Sequence, residues 1–394
     1  MMIIEQAAAL VFQPYVLGVI LLSAIFGMFV GAIPGLTATM ATALLVPLTF
    51  FMEPVPAIAA IVTATAMAIF AGDIPAAMLR MPGTPANAAY VEDAYRMTIS
   101  GRGDDALGAA LVFSAIGGLF GSIVLMTLSP VLAEIALKFS SEEYFFLVLL
   151  GLSCAVFVSP GSPTRGLISL LIGLFFSTIG IDNPSGEPRF AFGNVELMAG
   201  IQFIPAMIGL FAVSEVLRTV TSTTPRGVVP RMDGGGIFKS QWKNLKTYPV
   251  QAARGSITGT ALGILPGAGA DIAAWISYAI SKRFSKHKEK FGKGHLPGLC
   301  APEASNNSAA QTSFIPTLTL GVPGDAVMAL IIGALILNGI VPGPRLIIDE
   351  PELFWGVIAS FFVGNIILLV INIPLIGVWV RLLSIPYYRL YPAI

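Results

Sequence analysis

Residues 6–52 form a run of 47 residues without one charge. One helix needs only about 20 apolar residues to cross a bilayer, so the run suits a hairpin or two spans. Further charge-free runs cover 106–133, 144–164, 166–181, 197–214, 326–344 and 353–380. Only 11% of the chain is charged, where soluble domains carry about 25%. Roughly ten membrane-embedded segments are expected, some too short to cross as ideal helices. Lipid offers the backbone no hydrogen bonds, so the expected fold class is an all-α polytopic membrane protein without a separate soluble domain.

A pair of motifs occurs twice. Ile74-Pro75, Leu79 and Met81-Pro82-Gly83 recur with the same spacing as Ile315-Pro316, Leu320 and Val322-Pro323-Gly324. Upstream of each copy lies another Pro-Gly pair, GAIPG at 31–35 and GILPG at 263–267. The offset is 232 residues from Pro34 to Pro266 and 241 from Pro82 to Pro323. The nine extra residues fall in an interval holding a basic loop, where insertions are tolerated. Broken helices at matching positions of two halves point to a transporter's binding site. The competing explanation is chance, in a chain with 41 Gly and 28 Pro.

Charge placement gives an orientation. Thirteen of the 22 Lys and Arg residues lie between Arg218 and Lys293, in clusters at 218–254 and 282–293. Positive loops stay cytoplasmic. With both clusters on one side, the 27 residues 255–281 must enter and leave by the same face, whereas two crossings need about 40. Pro266-Gly267 then forms the tip of a re-entrant hairpin, buried in protein or facing water. The matching exit loop of the first copy, 51–54, has no Lys or Arg, which fits inverted-topology repeats with broken helices. The expected organisation is a first membrane repeat and following spans at 1–217, a cytoplasmic basic linker at 218–254, and a second membrane repeat at 255–394. Residues 228–238 read as a flexible stretch of that linker, and 95–105 as a solvated hydrophilic connector.

Several classes are disfavoured. A net charge of zero supplies no field for nucleic acid. Cys154 and Cys300 imply neither a disulfide framework nor a metal site. Both histidines, His287 and His295, sit in the basic loop, so a histidine metal centre is not expected. No P-loop is present for ATP coupling, and residues 1–5 lack the positive start of a secretory signal. The chain is not expected to be an enzyme, because no nucleophile, metal or paired-acid set stands out. The alternatives kept open are an intramembrane enzyme and a channel-like subunit with a carboxyl-lined cavity.

Transport of carboxylates fits the breaks chemically. Half-helix N-termini supply donors and partial positive charge. Gly35, Gly83, Gly267 and Gly324 permit close backbone approach. Thr37, Thr39, Thr84 and Asn87 can add donors in one half, and Gly269, Ser305, Asn306, Asn307 and Ser308 in the other. The same residues can instead kink packed helices and cement their contacts.

Asp271 and Asp325 closely follow Pro-Gly tips, and Glu303 precedes the Ser-Asn-Asn-Ser run. A carboxylate at a membrane helix centre costs about 2.5–3.5 kcal/mol on insertion scales. With Ser305, Asn306 and Asn307, these acids form the expected cation-coupling set, sodium ion or proton being the coupling ion and no cofactor being needed. Each acid can equally be a solvated cap. Asp73 and Arg80 lie seven apart on one helical face. They either pair, or Arg80 meets a substrate carboxylate, or the pair is exposed.

The segments GAIPGLTATMATALLVPLTF, MPGTPANAA, LPGAGADIAAWISYAISKRFSKH, FGKG, APEASNNSAAQTSFIPTLTLGVPGDA and ILNGIVPGP resemble the large membrane subunit of the tripartite tricarboxylate transporters, the TctA family. The resemblance runs from about residue 18 to the C-terminus. It implies a secondary transporter in a bacterial inner membrane, importing organic carboxylates by symport with a cation. It also implies two partners, a small membrane subunit and a periplasmic substrate-binding protein. Two departures stand out. Relatives usually carry further hydrophobic segments beyond the LYP motif at 390–392, so either the second repeat is truncated here or the last spans are dispensable. Asp73, Pro75 and Arg80 also occupy a segment where the family carries small polar residues, which puts the ordinary tricarboxylate in question.

Overall fold

A computed structural model describes residues 2–33, 36–158, 162–182, 187–202, 205–206, 208–214, 217 and 237–382. Regular structure among them is almost entirely helical, beside one two-stranded ribbon pairing Gly180–Ile181 with Pro188–Arg189. The helices are α1 (Met2–Val11), α2 (Pro14–Ala32), α3 (Ala38–Thr49), α4 (Pro54–Ala71), α5 (Asp73–Leu79), α6 (Val91–Met97), α7 (Gly103–Ala136), α8 (Ser141–Val158), α9 (Pro163–Ser177), α10 (Val195–Met198) and α11 (Ile237–Thr247). They continue as α12 (Pro249–Gly263), α13 (Gly269–Arg283), α14 (Pro297–Thr312), α15 (Phe314–Leu320), α16 (Ala326–Leu337), α17 (Leu346–Asp349) and α18 (Pro351–Leu382).

Four of these stretches are long and apolar enough to cross a membrane: Pro14–Ala32, Pro54–Leu79, Val91–Ala136 and Pro351–Arg381. Ala38–Thr49, Pro163–Ser177 and Ala326–Leu337 are apolar but shorter. The apolar face of α8 and α9 is open: Phe145, Phe146, Leu149, Leu167, Leu171 and Phe175 are each more than two-fifths exposed. An apolar patch of that extent belongs against lipid or another protein.

Two helix pairs form the centre, and small residues set their spacing. In the first, α2 lies so close to α4 that a Cβ at Gly27 would stand 2.2 Å from the Ala64 carbonyl oxygen, and one at Gly31 2.4 Å from that of Ala68. In the second, α12 meets α14. A Cβ at Gly259 would stand 2.2 Å from the Ser305 oxygen, and one at Gly263 2.6 Å from that of Ala309. The glycines differ by 232 residues and their partners by 241, the two offsets of the Pro-Gly motifs. In both pairs glycines four apart allow backbones to touch, the usual device where no hydrophobic force drives helices together. Overpacking costs about 1–3 kcal/mol. Gly259→Ala is therefore expected to lower the thermal stability of the purified chain measurably. Gly173→Ala, at a position with nothing within 4 Å, is expected to leave it unchanged.

The second Pro-Gly motif folds the same way twice. α4 breaks at Gly72 and α14 at Ser313, each followed by a seven-residue helix, α5 or α15. Pro75 and Pro316 are the third residues of these helices, where a missing N–H costs nothing. Each helix ends on a left-handed residue, Arg80 (φ 59) or Gly321 (φ 69). The next N–H, from Met81 or Val322, bonds back to the carbonyl of Pro75 or Pro316 at 3.3 Å. The Pro-Gly pair then returns to the break: a Cβ at Gly83 would meet the Gly72 Cα at 2.4 Å, and one at Gly324 the Ser313 Cβ at 2.8 Å.

Helix α14 is buried along almost its whole length despite its polar sequence. Besides α12 it touches α7, where a Cβ at Gly117 would stand 2.1 Å from the Ala304 oxygen. Its hydroxyls bond neighbouring helices, Ser305 to the Ala273 carbonyl and Ser308 to that of Ser256, both at 3.0 Å. The expected connector at 95–105 is instead helical. α6 runs through a wide turn at Thr98–Arg102, with Gly101 at φ 81, directly into α7. Met97, Thr98 and Gly103 are buried while residues 99–102 stay exposed, which a count of polar residues does not reveal. Of the expected basic linker, residues 218–236 lie outside the described residues; 237–254 hold α11 and the start of α12.

Candidate functional site: a cavity at two helix N-termini

A cavity of about 720 Å3 lies where the chain's two halves meet. Gly267, Gly269 and Asp271 contribute from the start of α13, and Gly321, Val322 and Asp325 from the approach to α16. Thr39, Pro85 and two α8 residues, Val148 and Leu152, complete much of the wall. Sites for small molecules are commonly about 300–1,000 Å3, apolar with a few convergent polar groups.

The helix breaks build this wall. Gly267 (φ 79) and Gly269 (φ 59) turn the chain into α13 through left-handed conformations. The approach is tight, since a Cβ at Gly269 would stand 2.8 Å from that of Asp325. The Asp325 Oδ1 accepts from the Met328 N–H at 2.9 Å and caps α16. The Asp271 Oδ1 accepts from the Ala86 N–H at 3.2 Å, and the Trp275 Nε1–H donates to the Pro85 carbonyl at 3.3 Å. These two bonds fasten the PGTPA loop of the first half to α13 of the second.

A second clasp joins the halves beside the basic loop. Buried Asp93 on α6 accepts four hydrogen bonds: Gly292 N–H and Tyr278 hydroxyl to Oδ2, each at 2.9 Å, and Gly294 and His295 N–H to Oδ1 at 2.9 and 2.8 Å. The Arg102 guanidinium donates to the Gly294 carbonyl at 2.7 Å.

The family model described as "Tripartite tricarboxylate transporter TctA family" matches residues 17–394. The chain belongs to the TctA family. It is 42% identical over 371 residues to an uncharacterized 52.8 kDa protein in the TAR-I ttuC' 3' region of Agrobacterium vitis, covering 94% of this chain and 73% of that protein. It is also 55% identical over 136 residues to an uncharacterized protein in the TAR-II ttuC' 3' region of the same organism, covering 34% of this chain and 56% of that protein. No solved structure matches the chain. TctA is a family of tricarboxylate transporter subunits and not of enzymes. With the long apolar helices, it makes this chain a membrane protein.

Within this TctA chain the expected site residues separate into groups. Thr39, Gly267, Gly269, Asp271 and Asp325 line the cavity, with Gly324 adjoining it. Gly35 lies outside the described residues. Thr37 caps α3, its hydroxyl accepting from the Met40 N–H at 3.2 Å. Gly83 packs against Gly72, and Thr84 is held by Asn87, whose Oδ1 accepts from the Thr84 N–H at 2.8 Å and hydroxyl at 2.6 Å. Asn306 and Asn307 are buried in α14; the Asn307 amide donates to the Ser114 hydroxyl at 2.8 Å.

The Asp73–Arg80 pair is not formed. Helix α5 ends at Leu79, so the helical phase that would align the two residues stops short of Arg80. Arg80 turns outward to Glu92, more than half exposed and away from the cavity wall. Asp73 is buried and accepts from the Asn87 amide at 2.5 Å and the Tyr90 hydroxyl at 3.0 Å. Sequence reasoning missed Pro85, Trp275, Asp93 and Tyr90. The hint for Tyr90 was its place three residues after Asn87.

Proposed function

We propose that this chain is the translocating subunit of a symporter that carries organic carboxylates, tricarboxylate-like in class, through the cavity between its halves. The observation that carries this reading is the convergence of two helix N-termini, α13 and α16, on one cavity of ligand size. Such termini favour anions, yet Asp271 and Asp325 already stand there. A carboxylate entering beside two acids needs a cation with it, which is the electrostatic logic of symport. Sodium ion or proton fills that role, and Glu303, Ser305, Asn306 and Asn307 lie in the helix behind.

The two halves act as inverted-topology repeats whose re-entrant hairpins rock against each other. Their matching Gly contacts and finger-like breaks support this organisation. The basic loop faces the cytoplasm, and the connector around Arg102, bonded to it, lies on the same side. The setting is a bacterial inner membrane, with a small membrane subunit and a periplasmic substrate-binding protein as partners.

The test is uptake of labelled di- and tricarboxylates into vesicles carrying all three components, with sodium and pH gradients imposed separately. Saturable accumulation under one gradient is expected. Flux that never saturates and ignores both gradients would instead identify a channel.

A further inference from the structure

The buried acids Asp73 and Glu303 come from opposite halves of the chain and face each other. Asp73 opens α5, and Glu303 lies in α14. Their exposures are 3% and 0%, and their carboxyls are within hydrogen-bonding reach of one another. One oxygen of each is satisfied. Asp73 Oδ1 takes the Asn87 amide and Tyr90 hydroxyl, and Glu303 Oε2 takes the Ser114 hydroxyl at 3.0 Å. The other two, Asp73 Oδ2 and Glu303 Oε1, are buried without a donor. Neither acid forms an ion pair among the described residues. The titratable groups facing them are Tyr90 and Cys300, which bring no positive charge.

Two carboxylates in contact in a dry interior cannot both stay ionised. One added proton resolves the whole arrangement: it turns one orphan oxygen into a donor and leaves the other as its acceptor. We infer that Asp73 and Glu303 form a proton-binding site that holds one shared proton while the halves are packed as seen here. The atoms balance simply. A proton from water joins one carboxylate, forming an O–H bond that donates to its neighbour, and returns to water when the carboxyls part.

Its part in transport rests on the symport reading above. Because the acids belong to different halves, any motion that separates α5 from α14 breaks the O–H···O contact and changes the affinity for the proton. The site is also wired to the cavity. Ala86 bonds Asp271 at the cavity wall, and the next residue, Asn87, bonds Asp73. A ligand that shifts the PGTPA loop therefore shifts one wall of the proton site.

Infrared spectroscopy of the reconstituted three-component transporter tests the proton directly. A protonated-carboxyl C=O band is expected at neutral pH, lost in both Asp73→Asn and Glu303→Gln. Absence of the band from the unaltered protein overturns the proposal even if neither variant folds, as does its persistence in both variants. Uptake under an imposed proton gradient without sodium tests the coupling. The stimulation by that gradient is expected to vanish in each variant. Sodium-driven uptake indifferent to pH, with no such band, overturns the proton site while transport stands. A band that behaves as expected in vesicles that carry no carboxylate overturns the transport reading while the shared proton stands.

Discussion

Replacing Asp93 with Ala is expected to remove most of the folded protein. The carboxyl gathers four hydrogen bonds in a fully buried position. Three of its donors are backbone N–H groups of the loop 292–295, that of Gly294 buried and those of Gly292 and His295 partly so. A buried donor left unsatisfied costs about 1–3 kcal/mol, so the summed loss of roughly 3–5 kcal/mol rivals the whole stability of an ordinary domain. Asp93→Asn keeps an acceptor oxygen and is expected to be milder. The measurement is the monodisperse fraction by size-exclusion chromatography after mild heating, compared across the three proteins. Equal recovery of Asp93→Ala and the unaltered chain would show that the basic loop is held by other contacts.

Gly269→Val is expected to cut carboxylate uptake steeply without unfolding the chain. Gly269 sits at φ 59, and a Cβ there would press the Asp325 Cβ at 2.8 Å. A β-branched residue in that conformation carries about 1–3 kcal/mol of strain. Relief requires the approach to α16 to move, and the wall of the cavity moves with it. A shift of that energy corresponds to roughly 5–150-fold in affinity. Uptake kinetics in three-component vesicles should show an apparent affinity weakened within that range, with a normal elution profile. Unchanged kinetics would place the transport route elsewhere.

The charge-free runs determined the class of the fold, because uncharged stretches of such length have no stable home in water. The duplicated Pro-Gly spacing also determined local conformation. The IP-x3-L-x2-PG pattern encodes a short helix, a left-handed end and a glycine that must lie against the break. Both copies adopt that form because the requirement is local. Local phase fails where a helix ends, which is why Asp73 and Arg80 looked like partners and are not. Composition equally missed that 95–105 is helical, with Met97, Thr98 and Gly103 buried while residues 99–102 stay exposed.

Which acid meets which group was decided by tertiary structure alone. Asp271 reaches Ala86 across 185 residues, and Ser114 reaches Glu303 across 189. No spacing rule links positions so distant. The polar run of α14 shows the same division: its sequence announced side chains that need partners, and only the packing of α7, α12 and α13 settled that hydroxyls and amides bond neighbouring helices. The sequence by itself specified where the chain breaks and which small residues allow helices to touch. Three-dimensional packing chose the cavity those breaks surround and the acids left facing each other, because burial and charge pairing depend on neighbours that the linear order does not specify.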